Sequence, residues 1–141
     1  MKGGYVHNRL LLAPVDRRAR ELGARVDHEV AINVGDRVLF GDLVINLGSR
    51  RILVEAEMSS RRIPKDVAKA SALEGCELWI LVPNPRVAAS VRRKLERSHV
   101  RMEPRIFVFS LPQALQRLGD LFHLNFGSNE GEKTEEKETG N

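Results

Sequence analysis

The chain reads as an α/β domain. It is expected to hold a mixed β-sheet, made of a three-strand antiparallel meander plus further strands, flanked by helices. Three observations predict this. Apolar and polar residues alternate from Val26 to Val34, the period of a half-buried strand. Leu78-Trp79-Ile80-Leu81-Val82 is a continuous apolar run of strand length, as expected of a strand covered on both faces. Stretches of helical period lie before, between and after these strands, so helices must cover the sheet.

The elements follow in order. Residues 7–23 carry Leu10, Leu11, Val15 and Leu22 among Arg17, Arg18 and Arg20, which describes a helix closed by Gly23. Pro14 lacks an N–H and must start a new helix or kink this one. After the Val26–Val34 strand, Gly35-Asp36 turns the chain into a second strand, from about Val38 to Leu47. Gly48-Ser49 turns it again into a third, Arg51 to Met58. Consecutive strands joined by tight turns make the antiparallel meander. Pro64 fits the first turn of a helix that runs to about Glu74 and stops at Gly75. Pro83-Asn84-Pro85 ends the apolar strand. Residues 86–98 then place Val87, Val91 and Leu95 on one helical face. Arg105 to Ser110 is a further strand, and Pro112 opens a last helix to about Phe122. No repeat of about 20–50 residues is visible, which argues against a solenoid.

Composition narrows the class. The 141 residues, 42% hydrophobic and 30% charged, suit one globular domain with a core of its own. The apolar run 78–82 falls far short of the ~20 residues that cross a bilayer. Met1-Lys2-Gly3-Gly4-Tyr5 opens no apolar signal segment, so a cytoplasmic location away from membranes is expected. The single cysteine, Cys76, excludes an internal disulfide and a Cys-rich zinc site, and a buried inert thiol is expected there. His7, His28, His99 and His123 show no ligand spacing for zinc. No Gly-x-Gly-x-x-Gly loop, Walker motif or serine elbow occurs.

The net charge of +4 understates how basic the folded part is. From Ser128 to Asn141 the chain has no apolar residue and holds five Glu against two Lys, a net of −3 that leaves +7 on residues 1–127. Residues 128–141 therefore read as a disordered acidic tail, and 1–127 as a compact basic domain suited to a polyanion. Basic domains also meet membranes, or no polyanion at all, so charge alone does not choose the partner.

The informative stretch is Gly41-Asp42 to Glu55-Ala56-Glu57. If Gly48-Ser49 is a two-residue hairpin loop, Leu47 pairs Arg50, and the register runs back to set Asp42 opposite Glu55. Glu57 shares the face of Glu55, because strand side chains alternate. Opposed residues have Cβ atoms only ~4.5–5.5 Å apart, and like charges so placed are destabilising. A divalent cation relieves that, and hard oxygen ligands suit Mg²⁺ or Mn²⁺. The plainer reading is a hairpin with solvated acids beside Arg50 or Arg51. The apolar neighbours Leu43, Val44, Ile45, Val54 and Met58 weigh against it.

With the order of elements over residues 7–110, this Asp…Glu-x-Glu pattern resembles the PD-(D/E)XK nuclease superfamily. Its core is a helix, a three-strand meander, a helix and a strand. Its signature is an Asp on the second strand and (Glu/Asp)-x-Lys on the third. The resemblance implies a restriction-endonuclease-like fold and a metal-dependent endonuclease, a phosphodiester hydrolase, with nucleic acid as partner, DNA first, and a homodimer admitted. It implies Asp42, Glu55 and Glu57 as metal ligands, with Glu57 a further ligand or the general base. Two departures stand out. Glu57 occupies the usual lysine position, so Lys65 or Lys69, one turn apart on the following helix, would have to supply the positive charge, unless both merely line a solvated helix face. Where many members carry a first-helix Glu, this chain has His7-Asn8-Arg9.

Phosphate contacts are expected from Arg61, Arg62 and Lys65, just past the acidic strand, with the helix start as an anion site. Arg92 and Arg93, beside Lys94 and Arg97, form a second basic cluster that either grips phosphate or is a solvated helix face. His28 beside Glu29 either lines the site or is a strand-edge histidine. Aromatic residues are not interleaved with the basic runs, so no stacking platform for single strands is read. The competing class is a non-catalytic nucleic-acid-binding or assembly module on the same fold. A generic interaction domain is a further rival.

Overall fold

Gly48, at φ +63°, makes the turn on which the sheet register depends. The computed structural model describes residues 2–98 and 105–124, with side chains from Asn8 onward. Within these, helix α1 (Lys2–Glu21) precedes strands β1 (Arg25–Val34), β2 (Arg37–Leu47) and β3 (Arg50–Ala56). Helix α2 (Ile63–Ala72), β4 (Cys76–Leu81), α3 (Pro85–Arg97), β5 (Ile106–Phe109) and α4 (Leu111–Phe122) follow. The acidic tail expected from Ser128, together with His99 and the side chains of Tyr5 and His7, lies outside the described residues.

The five strands form one sheet in the order β1-β2-β3-β4-β5. The first three pair antiparallel, while β4 is parallel to β3 and β5 parallel to β4. Tight turns suffice for the meander. Parallel neighbours need a crossover, and α2 and α3 supply one each. The predicted α/β class with a mixed, helix-flanked sheet is therefore the observed one.

Two apolar layers enclose the sheet. On one face Val15 and Ala19 of α1 and Ala114, Leu118 and Leu121 of α4 pack on Leu43, Ile45, Ile52, Val54 and Trp79. Trp79 is fully buried, edge-on to Phe109 with ring centroids 5.1 Å apart. Its indole N–H donates to Glu77 Oε1 at 3.2 Å, and Glu77 also pairs with Arg50, so that buried acid is satisfied. On the other face Ile63 and Ala70 of α2 and Ala88 and Val91 of α3 pack on Val44, Leu53, Leu78 and Ile80. Cys76 belongs to this second layer, and burial pushes its thiol up to about 11, as an inert core cysteine requires.

Local signals fix the helix starts. Asn84 accepts from the Val87 N–H at 2.9 Å to cap α3, and Ser110 forms a capping box with Gln113 to open α4. Of the two alternatives at Pro14, a new helix is not the one observed: Pro14 lies inside α1, which runs on as one helix to Glu21. One boundary differs from expectation. Strand β3 ends at Ala56, although the Glu57 N–H still donates to Leu81 O at 2.9 Å. Glu57 thus keeps its place beside β4 while the chain departs toward α2.

Candidate metal centre

The β2–β3 register runs from Leu47↔Arg50 to Leu43↔Val54, and Asp42 and Glu55 are the next residues along the two strands. The two residues interlock. The Asp42 N–H donates to Glu55 Oε2 at 2.8 Å, and the Ala56 N–H donates to Asp42 Oδ2 at 3.2 Å. Gly41 makes room for this crossing. A Cβ there would lie 2.7 Å from Leu53 Cδ1 and 3.6 Å from Glu55 Oε2.

Helix α2 brings two more charged groups under the strand ends. Lys69 Nζ donates to Glu55 Oε1 at 2.9 Å and lies 3.6 Å from Asp66 Oδ1. Glu55, Glu57, Asp66 and Lys69 are all buried. Glu55, Glu57 and Asp66 each offer a carboxylate oxygen within 4.8 Å of the others, a set that could hold a metal ion. Asp42 is not in that set. It lines an open cavity of about 300 Å³ between α1 and the β1–β2 pair, together with Asn8, Asp16, His28 and Glu29.

The electrostatics follow from burial. Burial raises the Asp42 carboxyl above its ordinary value, with the Ala56 N–H pulling the other way. Glu55 rises to about 7, through burial first and the Asp42 charge second, against the opposing pull of Lys69. Asp66 rises to about 11 through burial, then through contact with Glu57 and the charge of Glu55. Neither Asp66 oxygen has a hydrogen-bond partner. Burial alone would lower the Lys69 ammonium, but the carboxylates of Glu55, Asp66 and Asp42 hold it above its ordinary value. One ammonium thus faces a group of acids that burial keeps from ionising freely, and hard oxygen donors in such a set fit a divalent cation.

The sequence-read residues separate into those the fold brings together and those it does not. Asp42, Glu55, Glu57 and Lys69 converge. Lys65 is exposed, with no contact to the acids, whereas Lys69 one turn on is buried among them. Arg61 and Arg62 are exposed beside the centre, and the Arg62 charge reaches Asp42. Arg93 lines a second cavity, about 470 Å³, with Met58, Ser59, Arg86 and Ser90. Arg92 turns away and donates to Val108 O at 3.3 Å. His28 does line the Asp42 cavity, with its Nε2 2.9 Å from Asp16 Oδ2.

Three features escape sequence reasoning. Asp66 sits in the first turn of α2, where an acid is ordinarily explained by the helix dipole. Arg86 opens a segment read for its apolar stripe and for the basic cluster at 92–97, and neither singles it out. Glu29 takes φ +46° within β1, between the pairs His28↔Leu43 and Val30↔Gly41, and so lies across from Asp42. Such a conformation costs about 1–3 kcal/mol in a non-glycine residue, and no Gly or Asn marks it in the sequence.

No family model matches the chain, and no curated protein sequence matches it. Among solved structures it is similar to a crystal structure described as a protein of unknown function, AF1548, with 11% sequence identity and a TM-score of 0.48. The alignment covers 68% of this chain and 54% of that one, so the chain spans about half of that protein's length. No described helix is long and apolar enough to cross a membrane.

Proposed function

We propose that the protein is a metal-dependent nuclease of the PD-(D/E)XK type, hydrolysing phosphodiester bonds in nucleic acid, with DNA as the first substrate to test. The observation that carries this reading is the interlocked Asp42–Glu55 pair, in which Asp42 lines an open cavity and feels the charge of exposed Arg62. Burial and the Asp42 charge raise Glu55 to about 7, and a divalent cation would relieve that repulsion.

Asp42 and Glu55 would hold Mg²⁺ or Mn²⁺, which supplies a bound water of lowered pKa and a Lewis acid for the scissile phosphate. The side chains account for the rest. Asp42 presents its carboxylate to the cavity, with one oxygen fixed by the Ala56 N–H. Glu57, two residues beyond Glu55, is the further ligand or the carboxylate that takes the proton from the attacking water. The water's oxygen would bond to phosphorus as the bond to the leaving oxygen breaks, and that oxygen would take a proton from solvent. Lys69, with its side chain only 4% exposed, touches Glu55 and not the cavity. It is therefore a positioning residue that keeps Glu55 ionised, and Lys65 drops out of the site. Arg61, Arg62, Arg86 and Arg93 would guide the phosphate backbone.

The alternative, a non-catalytic nucleic-acid-binding module, is favoured by one observation: both Glu55 oxygens already have partners. Incubation with Mn²⁺ and single-stranded, duplex and branched DNA and RNA separates the two. Cleavage abolished by Asp42→Asn supports the nuclease. Binding without cleavage by the parent supports the module.

A further inference from the structure

Asp66 is the least satisfied group among the described residues. Its side chain has no exposed surface, neither carboxylate oxygen receives a hydrogen bond from an N–H donor, its carboxyl meets that of Glu57, and its nearest cation, Lys69, stands 3.6 Å away. Lys69 makes its short contact, 2.9 Å, with Glu55 instead. Ionised and unpaired, a carboxylate so placed would cost several kcal/mol, which natural cores avoid by protonation, pairing or coordination. Glu57, 6% exposed, and Glu55, 2% exposed, bring their oxygens to within 4.8 Å of Asp66. Once metal binding displaces their protons, the three carboxylates against one ammonium leave two negative charges, the charge that a single divalent cation cancels.

We propose that Asp66 and Glu57, with Glu55 between them and the cavity, form an enclosed divalent-cation site distinct from the one that Asp42 faces. Two observations separate the sites. Asp42 lines an open cavity and lies outside the triad of converging oxygens, whereas all three triad residues are buried. A cation held there is shut off from a polymer substrate, so its role is structural, and in this arrangement Glu57 serves as its ligand and not as the general base. It ties the first turn of α2, through Asp66, to the end of β3, through Glu55 and Glu57. Because Lys69 follows Asp66 by one helical turn, the same tie sets the ammonium on Glu55. The oxygen-only donor set excludes a preference for soft metals. The enclosure disfavours Mg²⁺, which gives up its waters reluctantly, and favours Mn²⁺ or Ca²⁺. The inference stands on Asp66 and does not require cleavage.

The test is a titration of the metal-stripped full chain with Mn²⁺, reading free Mn²⁺ by electron paramagnetic resonance beside thermal melting. The parent should bind two Mn²⁺. Asp66→Asn should bind one and lose most of the melting-temperature gain that Mn²⁺ gives the parent. Asp42→Asn should also bind one but keep most of that gain. The relaxation of water protons serves as a second measurement on the parent alone, so the test survives an Asp66→Asn chain that does not fold. One of the two bound Mn²⁺ should add little to it, because an enclosed ion exchanges few waters. Unchanged stoichiometry in Asp66→Asn, one site lost to both substitutions alike, or full water access for every bound Mn²⁺ would overturn the proposal. Loss of a site in Asp66→Asn, with no cleavage by the parent, would sustain it while removing the nuclease reading.

Discussion

Lys69 Nζ and Glu55 Oε1, 2.9 Å apart with side chains 4% and 3% exposed, join helix α2 to strand β3 through a buried ion pair. Removing one partner of such a pair leaves the other charge buried and typically costs about 3–5 kcal/mol. Lys69→Met should destabilise the metal-free protein by that order at neutral pH. Glu55→Gln added to it should restore much of the loss, because the stranded charge is then gone. Denaturant titration of the two variants checks this. Since Lys69 lowers the Glu55 carboxyl, its loss should also move the rising limb of a cleavage pH profile to higher pH.

Stability should fall as the pH rises. Glu55 titrates near 4.5 ordinarily and at about 7 in the fold, so the folded chain holds this proton more tightly than the unfolded one. The corresponding stabilisation is complete below the unfolded value and disappears as the pH passes the folded one. Asp42 shifts in the same direction, and Asp66, raised to about 11, extends the loss into the alkaline range. In EDTA the melting temperature should decline from about pH 5 to about pH 8. Mn²⁺ should reduce the slope, since it binds the ionised carboxylates. A melting temperature that climbs over this range would mean that the acids are satisfied by groups other than protons or metal.

Much of the fold was readable because its signals are local. Gly48-Ser49 fixes the hairpin, and the hairpin fixes Asp42 opposite Glu55. The unbroken run from Leu78 to Val82 marks a central strand, and Pro64 and Pro112 mark helix starts. What stayed hidden depends on docking. Lys65 and Lys69 lie one turn apart on α2, and only the seating of Ile63 and Ala70 in the core decides which of them is buried. The burial of Asp66 follows from the same seating. The left-handed Glu29 has no residue-type signature.

Gly41 tests the close crossing beside Asp42. A methyl group there meets Leu53 Cδ1 at 2.7 Å and Ile32 Cδ1 at 3.1 Å, both on buried side chains. Gly41→Ala should cost about 1–3 kcal/mol by overpacking, measured by urea unfolding. A neutral result would mean that Leu53 turns aside freely, and that the glycine does not set the geometry of Glu55.

Nucleic-acid binding should be salt-dependent, and the arginines should divide by position. Arg61 and Arg62 are exposed on the segment after β3, and Arg93 lines the cavity beside Met58 and Ser59, while Arg92 is tied to Val108 O. Replacing the first three by Ala should flatten the plot of log affinity against log salt by about 0.9 per lost duplex phosphate contact. Arg92→Ala should leave that slope unchanged. The reverse pattern would place the polyanion on the other side of α3.

The central claim is that Asp42 and Glu55 form a reaction centre rather than a structural knot, and Asp42→Asn tests it most directly. The substitution removes one charge and keeps the shape. In a cleavage assay with Mn²⁺, beside binding and melting in EDTA, the variant should lose cleavage, retain nucleic-acid affinity, and melt at or slightly above the parent. An Asp42→Asn protein that melts far below the parent in EDTA, or that cleaves as the parent does, would contradict the account.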